Sequence, residues 1–296
     1  MGTLVNQVDL DHNNLNQFRR DGFIKLNGLF TEKTISLLKK AVEARVEPDT
    51  GSYGNQMARL TFSLGDDPLI KDIYSQAEFK NTIGDLIEDR LIATAAQAFE
   101  LTKGKSGLPW HYGYISFGYI RSADMGYSVW APLNEIAAQT NGGGMAYVPE
   151  HIISAQHSYE LGGILANKIN SGIPVAGTLK ALRQTHKLIE PILEQHKVHD
   201  NFSVGDALLF NKNIWHRSSS LNSGAMERRL GIVMRFVNWK SRIDRERWKA
   251  EYRLGGGIAM GVDTSGGPAQ VSPVLPFQDL NDGAELRTSA YCGDII

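Results

Sequence analysis

Residues 227–236 read Glu-Arg-Arg-Leu-Gly-Ile-Val-Met-Arg-Phe, and the alternation in this stretch decides the fold class. Successive side chains of an extended strand point to opposite faces. One face is apolar, which predicts packing against helices, and it carries Leu230, Ile232, Met234 and Phe236. The other face carries two guanidinium groups among smaller residues, namely Arg229, Gly231, Val233 and Arg235. The stretch therefore predicts a β-strand between an apolar core and a cationic interior.

Further short strands are predicted upstream, where apolar runs are separated by Gly, Pro, Asn and Asp turns: residues 91–102, 115–120, 127–133, 144–148 and 207–210. The N-terminal third instead favours helices at residues 15–20, 33–46 and 68–88, with a short strand within residues 21–30. Helices followed by many short strands predict a mainly β protein with flanking helices, a double-stranded β-helix of the jelly-roll or cupin-like type.

Domain organisation follows from the connections. Residues 154–195 form a long polar excursion with helical character, and excursions of this length commonly act as lids. No repeat or linker divides the chain. We expect a single domain over residues 1–296 with a helical, lid-like insertion at about 154–200. Residues 242–253 predict a solvated helix, and the Gly- and Pro-rich tail from Gly255 onward predicts irregular structure.

Composition limits the function classes. The 296 residues are 42% hydrophobic and 21% charged with a net charge of −1, which is ordinary globular composition. A chain without excess positive charge gives no reason to expect nucleic acid or anionic membrane as a partner. The single cysteine, Cys292, excludes an internal disulfide. With no leader pattern and no apolar run of spanning length, we expect a cytoplasmic location.

A pair of distant histidines carries the candidate chemistry. His111 follows Trp110 and His216 follows Trp215, and both lie beside strand-like sequence. Two histidines plus a carboxylate two residues after the first form the facial triad of non-haem iron(II) oxygenases. The third position here is Gly113, which has no side chain. Either the site is inactive or a ligand from solution occupies the open position. Packed or surface histidines are the alternative for each residue alone.

The two arginines suggest an anionic cosubstrate. Unpaired charge inside a barrel is costly unless an anion meets it, and a guanidinium fits a carboxylate bidentately. A dicarboxylate such as 2-oxoglutarate would satisfy Arg229 or Arg235. The alternative is that both arginines face solvent on an edge strand.

These motifs resemble the phytanoyl-CoA dioxygenase superfamily of iron(II)/2-oxoglutarate oxygenases, and within it the halogenase branch. The similarity runs from about residue 21 to residue 236. Its stretches are Asp21-Gly22-Phe23, the helix from Thr31, Trp110 to Gly113, Ser128-Val129-Trp130, Asn141-Gly142-Gly143 and Val148-Pro149-Glu150-His151. Glu150 departs from the family pattern, which has glycine there. The distal motif matches His216, Arg229 thirteen residues later and Arg235 six further on.

The resemblance implies roles for individual residues. His111 and His216 would bind iron, and Arg229 would bind the distal carboxylate of 2-oxoglutarate. Trp130 and Gln97 would line the cosubstrate and metal pocket, although Trp130 is equally explained as a core aromatic and Gln97 as an ordinary strand residue. Arg235 matches a second arginine seen in carrier-protein-linked halogenases of the family.

The resemblance also implies a reaction. With iron(II), 2-oxoglutarate and O2, chloride or bromide would bind where Gly113 leaves no carboxylate, and a substrate C–H would be halogenated. The substrate would be a small molecule, either free or tethered to a carrier protein. The alternatives are a hydroxylase whose carboxylate ligand was lost naturally or by engineering, and a non-catalytic small-molecule binding protein.

Overall fold

The computed structural model describes residues 2–48, 53–222, 226–253 and 277–296. Nine strands lie within these ranges: β1 (Phe23–Leu26), β2 (Glu47–Pro48), β3 (Arg59–Thr61), β4 (Leu91–Thr102), β5 (Gly126–Pro132), β6 (Met145–Tyr147), β7 (Ala207–Asn211), β8 (His216–Ser218) and β9 (Arg228–Asn238). The strands predicted at residues 91–102, 127–133, 144–148, 207–210 and 229–237 are confirmed to within one or two residues. Most of the Gly-rich tail lies outside the described residues.

Eight helices accompany the strands within the same ranges: α1 (His12–Asp21), α2 (Glu32–Glu43), α3 (Pro68–Ser75), α4 (Ala77–Ile87), α5 (Tyr114–Phe117), α6 (Gln156–Asn170), α7 (Ala176–His196) and α8 (Arg245–Arg253). A single 3-10 turn covers Leu286–Thr288. The Thr31 side chain accepts a hydrogen bond from the Thr34 amide and so begins α2, as the sequence predicts. The helical region predicted at residues 68–88 divides at Gln76, which ends α3 and begins α4.

Two antiparallel sheets form the β part of the molecule. The larger has seven strands in the order β1-β7-β5-β9-β4-β3-β2, and the smaller pairs β6 with β8. Isolated bridges extend the smaller sheet, among them Tyr147 with Val198 and His111 with His216. Helices flank this arrangement, which is the predicted double-stranded β-helix.

One face of the seven-stranded sheet packs against the N-terminal helices. Leu230, Ile232, Met234 and Phe236 are all buried in one cluster with helix residues such as Leu38. The Phe236 ring lies 5.4 Å from Tyr74 and 6.0 Å from Phe79. Burial of each such side chain stabilises the fold by about 1.5–3 kcal/mol. The apolar face predicted for the strand at residues 229–237 is therefore confirmed.

The opposite face of that sheet encloses the interior with the smaller sheet. Trp130 and Val233 belong to a buried cluster that also contains Met145 and Tyr147 of β6. The rings of Phe23 and Tyr147 meet edge to face at 4.5 Å, which joins the two sheets across the interior. The same interior face carries Arg229 and Arg235, which lie on β9 in register with Leu101 and Ala95 of β4.

The strand predicted at residues 115–120 is wrong. This segment begins with the short helix α5, and Phe117 and Ile120 are both fully buried in one cluster. Phe117 ends α5, and Ile120 forms an isolated antiparallel bridge with Ile243, so the segment is a helical turn followed by a single bridge and not a continuous strand. The sequence does not predict the short strand β8, because residues 215–218 show no alternation of apolar and polar side chains.

The predicted insertion contains α6 and α7, joined by a turn at Gly172. Gly162 and Gly163 lie inside α6. A Cβ atom at Gly162 would lie 2.6 Å from the Tyr114 ring, and one at Gly163 would lie 2.9 Å from Nη2 of Arg247. These glycines therefore allow two side chains to approach the helix closely. Within the described ranges, no helix has the length and apolarity needed to cross a bilayer.

Candidate metal centre

His111 and His216 lie opposite one another across an antiparallel bridge. The amide of His111 donates to the His216 carbonyl at 2.9 Å, and the amide of His216 donates to the His111 carbonyl at 2.8 Å. The centres of the two imidazole rings are 4.1 Å apart. Backbone pairing thus brings together two residues more than a hundred positions apart in sequence. The side chains take no part in this pairing, so both rings are available to bind the same metal ion.

The hydrogen bonds of each imidazole favour the tautomer that can bind a metal through Nε2. Nδ1 of His111 lies 2.7 Å from the Pro109 carbonyl oxygen, and Nδ1 of His216 lies 2.9 Å from the Ile214 carbonyl oxygen. A carbonyl oxygen only accepts, so we assign the ring proton to Nδ1 in both residues. Nε2 then carries a lone pair in each ring. Backbone carbonyls on the far nitrogen are the usual support for metal-binding histidines.

The surroundings keep both rings neutral. Burial, opposed in part by the Pro109 carbonyl and reinforced by the Arg235 charge, lowers the pKa of His111 to about 4. Burial and the neighbouring His111 hold the pKa of His216 well below its usual value of 6.5. Neutral imidazole is the form that binds transition metals. The pair is therefore ready for a metal across the physiological pH range.

Gly113 has no room for a side chain. A Cβ atom there would lie 2.9 Å from Cδ2 of Phe117 and 3.1 Å from both the Cα atom and the carbonyl oxygen of Lys212. The Gly113 amide also donates to that carbonyl at 3.1 Å, which holds the two backbones together. Phe117 is confined in turn, because a Cβ at Gly126 would lie 2.5 Å from its ring. A side chain at position 113 would therefore require the Phe117 ring and the Lys212 backbone to give way slightly.

No other carboxylate completes the pair. Among the described residues, no group of three or more His, Cys, Asp or Glu side chains is arranged to hold a metal ion. Two neutral imidazoles with free Nε2 atoms suit iron(II), with its remaining ligands coming from outside the protein.

Arg229 is a buried cation without a carboxylate partner. Its exposed fraction is 2%, and its Nε donates to the Gly143 carbonyl at 2.8 Å. Among the described residues no carboxylate lies within ion-pair distance of it. Burial lowers its pKa to about 10, so the group is charged at neutral pH. Gly231 gives it space, because a Cβ there would lie 2.8 Å from Nη1. A buried guanidinium in this state fits a carboxylate-bearing ligand.

Arg235 lies near the histidines and shares the interior face with Arg229. Its Nε and Nη2 donate to Oε1 of Gln97 at 3.3 and 3.1 Å, and its Nη1 donates to Oγ of Ser128 at 3.2 Å. Its charge contributes to the lowered pKa of both histidines. Arg235 lies six positions after Arg229, or about 20 Å along β9, so their backbones lie at different ends of the interior. The solvent-exposed alternative for these arginines does not describe this structure, since Arg235 is half-buried and Arg229 buried.

The aromatic residue at position 130 lies between the core and a buried guanidinium. Trp130 is buried and meets the Phe202 ring at 5.2 Å, as a core residue does. Its ring also lies 5.7 Å from the Arg229 guanidinium. Gln97 contacts Arg235 and so belongs to the interior. The sequence motif assigns no role to Ser128, whose side chain lies opposite Arg235 because of the strand register.

The insertion packs on the outer side of the histidine bridge. The His216 ring lies 4.8 Å from Phe210 in the interior, whereas the Trp215 ring lies 4.8 Å from Tyr112 and 5.2 Å from His186 of α7. His186 is thus half-buried, although its isolated position in the sequence suggests a surface residue. Glu194 of α7 accepts from Nε1 of Trp110 at 2.7 Å. A lid function for α6 and α7 stays a prediction.

No protein-family model matches the chain, and no curated protein matches it. Solved structures share its fold. The non-haem α-ketoglutarate-dependent epimerase SnoN from nogalamycin biosynthesis superposes with a TM-score of 0.62 at 14% identity, covering 95% of this chain and 94% of its own. The α-ketoglutarate-dependent carbocyclase SnoK from the same biosynthesis gives a TM-score of 0.57 at 11% identity, covering 79% and 87%.

EctD from S. alaskensis, solved with 2-oxoglutarate and 5-hydroxyectoine, gives a TM-score of 0.56 at 16% identity, covering 79% of this chain and 78% of its own. SnoN has also been solved with Fe3+ and α-ketoglutarate bound. At these identities the similarity establishes the fold. The chain has the double-stranded β-helix that these non-haem, 2-oxoglutarate-binding proteins have.

Proposed function

We propose that the protein is an iron(II)- and 2-oxoglutarate-dependent oxidoreductase. His111 and His216 would hold iron through their Nε2 atoms, and Arg229 would bind a carboxylate of 2-oxoglutarate. The observation that carries this proposal is the combination of two neutral, facing imidazoles with a buried guanidinium that lacks an anion. Similarity of fold to SnoN, SnoK and EctD supports the same cofactor pair.

The protein's own residues would bind and orient these groups. The carbonyls of Pro109 and Ile214 fix the imidazole rings, and Gly143 fixes the Arg229 guanidinium. When bound, iron(II) and 2-oxoglutarate would supply, with O2, the oxidant that removes a hydrogen atom from a substrate. The apolar side chains of Trp130, Val233 and Phe210 would limit the access of water to the interior.

We further propose that the reaction is a halogenation. Phe117 and the Lys212 backbone crowd the Cβ position of Gly113, which suits a residue without a side chain. This favours a native two-histidine site over a hydroxylase that lost its carboxylate by a single substitution. Chloride or bromide from solution would take the coordination position without a protein ligand. The nearby Arg235 charge would favour an anion there.

The substrate would be a small molecule, either free or tethered to a carrier protein. The test is anaerobic loading with iron(II), 2-oxoglutarate and chloride, followed by oxygen and mass analysis of a substrate panel containing both forms. We expect succinate release that increases with the true substrate, and a product with the isotope pattern of chlorine.

Other outcomes separate the alternatives. Hydroxylated product alone at saturating chloride would reject halogenation and leave a two-histidine hydroxylase. A protein that binds iron and 2-oxoglutarate but releases no succinate with any member of the panel would instead support the non-catalytic alternative.

A further inference from the structure

A cavity lies outside the metal centre, between α6, the start of α8 and the loop after α5. Its volume is about 220 Å³, below the roughly 300–1,000 Å³ of pockets for drug-sized ligands, so it suits a small metabolite. Arg247 and Asp244 of its lining are buried, whereas Glu160 and Asn167 are exposed at its rim. The cavity is thus charged inside and open to solvent.

Arg247 lacks hydrogen-bond acceptors although it is only 3% exposed. Within the described part of the chain, its Nε and Nη1 atoms are buried and have no hydrogen-bond partner. The nearest carboxylate, that of Asp244, lies 3.6 Å from Nε, beyond good hydrogen-bond length. Asp244 is already engaged, because its Oδ1 accepts from the Arg247 amide at 3.0 Å. A buried guanidinium in this state is costly unless an acceptor reaches it.

The carboxylate of Glu160 lies at the rim of the cavity and provides the opposite charge to Arg247. Oε1 of Glu160 accepts from Nε2 of Gln156 at 3.0 Å. No lysine or arginine among the described residues lies within ion-pair distance of this carboxylate. Arg121, the second cation of the lining, is satisfied by Asp282. The cavity therefore has a guanidinium whose Nε and Nη1 lack hydrogen-bond acceptors, with the Asp244 carboxylate 3.6 Å away, and an exposed carboxylate without a described cation beside it.

We propose that this cavity binds a small zwitterion, with its carboxylate on Arg247 and its ammonium group on Glu160. An amino-acid headgroup has this chemistry. The site is independent of the proposed iron reaction, because it contains neither His111, His216 nor Arg229. Its wall is nevertheless connected to the metal centre: the Ser122 carbonyl accepts from Nζ of Lys212, whose own carbonyl accepts from the Gly113 amide.

Three matched probes test the proposal by calorimetric titration of the metal-free protein. L-alanine carries both charged groups, propionate lacks the ammonium group and ethylammonium lacks the carboxylate. We expect saturable binding of alanine, weaker binding of propionate and none of ethylammonium. Absence of saturable alanine binding to the folded protein would overturn the proposal.

Two variants locate the site. Arg247→Gln should weaken alanine and propionate more than about tenfold, because a charge-assisted hydrogen bond is lost. Glu160→Gln, an exposed change that leaves the fold intact, should weaken alanine about three- to fivefold and leave propionate unchanged. Alanine binding that persists in Arg229→Gln would separate this cavity from the 2-oxoglutarate position. Equal loss of both probes in Glu160→Gln, or loss of alanine only in Arg229→Gln, would contradict the assignment.

Discussion

The imidazoles of His111 and His216 are protected from protonation by burial and by the Arg235 charge. Protons compete with a metal for the same Nε2 lone pair. A pair of ordinary histidines loses affinity below about pH 6.5. For His111, whose pKa is lowered to about 4, this loss begins only at much lower pH.

We therefore predict that affinity for Co(II), an oxygen-stable substitute for iron(II), stays nearly constant from about pH 8 to about pH 5.5. Equilibrium metal titration at several pH values checks this, with the exposed His12→Ala as control and His111→Ala as the variant that loses binding. An ordinary pair would instead lose up to about a hundredfold per pH unit below pH 6.5. Such a loss would show that the rings are solvated.

Gly113 supports a second prediction. Its φ of −67° suits any residue, so the cost of a side chain there comes from contacts alone. Gly113→Ala should lower the free energy of unfolding by about 1–3 kcal/mol, as overpacking does. Gly84→Ala is the matched control: Gly84 lies inside α4 with open space around its Cβ position, so alanine should raise stability by about 0.5–1 kcal/mol.

Denaturant unfolding measures both variants. Gly113→Ala with the stability of the unaltered protein would mean that position 113 is open. The same contacts make Gly113→Asp a poor way to rebuild a three-ligand site, because its Cβ atom would press on the Phe117 ring and the Lys212 backbone.

At the scale of the elements, β9 explains how far the sequence could predict the site. Alternation along residues 229–236 assigns the apolar residues to the helices and the arginines to the interior, and the structure agrees. The two Trp-His motifs suggest that His111 and His216 act together, whereas hydrophobic periodicity does not predict their pairing. The crowding at Gly113 comes from Lys212 and Phe117. Their positions result from chain pairing and helix packing, which no local sequence pattern predicts. The helix α5 was missed because four residues carry too little periodicity.

The two faces of β9 provide a matched pair of variants. Arg229→Gln should weaken 2-oxoglutarate binding by about 2–5 kcal/mol, because a buried carboxylate would lose its charged partner. Arg228→Gln removes a half-exposed arginine that pairs with Glu43 and Glu100, and should leave binding unchanged. Titration of 2-oxoglutarate into the iron(II)-loaded protein without oxygen measures both. Similar affinities in the two variants would place the cosubstrate elsewhere.

At the scale of the whole molecule, we expect the buried Lys212 to make the free energy of unfolding depend on pH. It is 1% exposed, its Nζ donates to the Ser122 carbonyl at 2.6 Å, and burial lowers its pKa to about 7. The unfolded chain, with an ordinary lysine pKa of about 10.4, binds more protons between these values. Stability from this group therefore rises as pH rises from about 7 to about 10, and is flat below pH 7.

Lys212→Met should remove this dependence. Relative to the variant, the unaltered protein should gain up to about 3 kcal/mol of unfolding free energy between about pH 7.5 and about pH 9.5. Denaturant unfolding across that range measures the difference. A difference that stays constant with pH would show that the lysine is hydrated.

The central claim is that a halide completes an iron site whose protein ligands are His111 and His216. X-ray absorption at the iron edge tests it without knowledge of the substrate. The unaltered protein is loaded with iron(II) and 2-oxoglutarate under nitrogen, in bromide and separately in a halide-free buffer. We predict a bromine neighbour of iron in the first sample only, and loss of iron itself in His111→Ala and His216→Ala. An iron coordination shell that contains only nitrogen and oxygen at saturating bromide would contradict halide binding at this site.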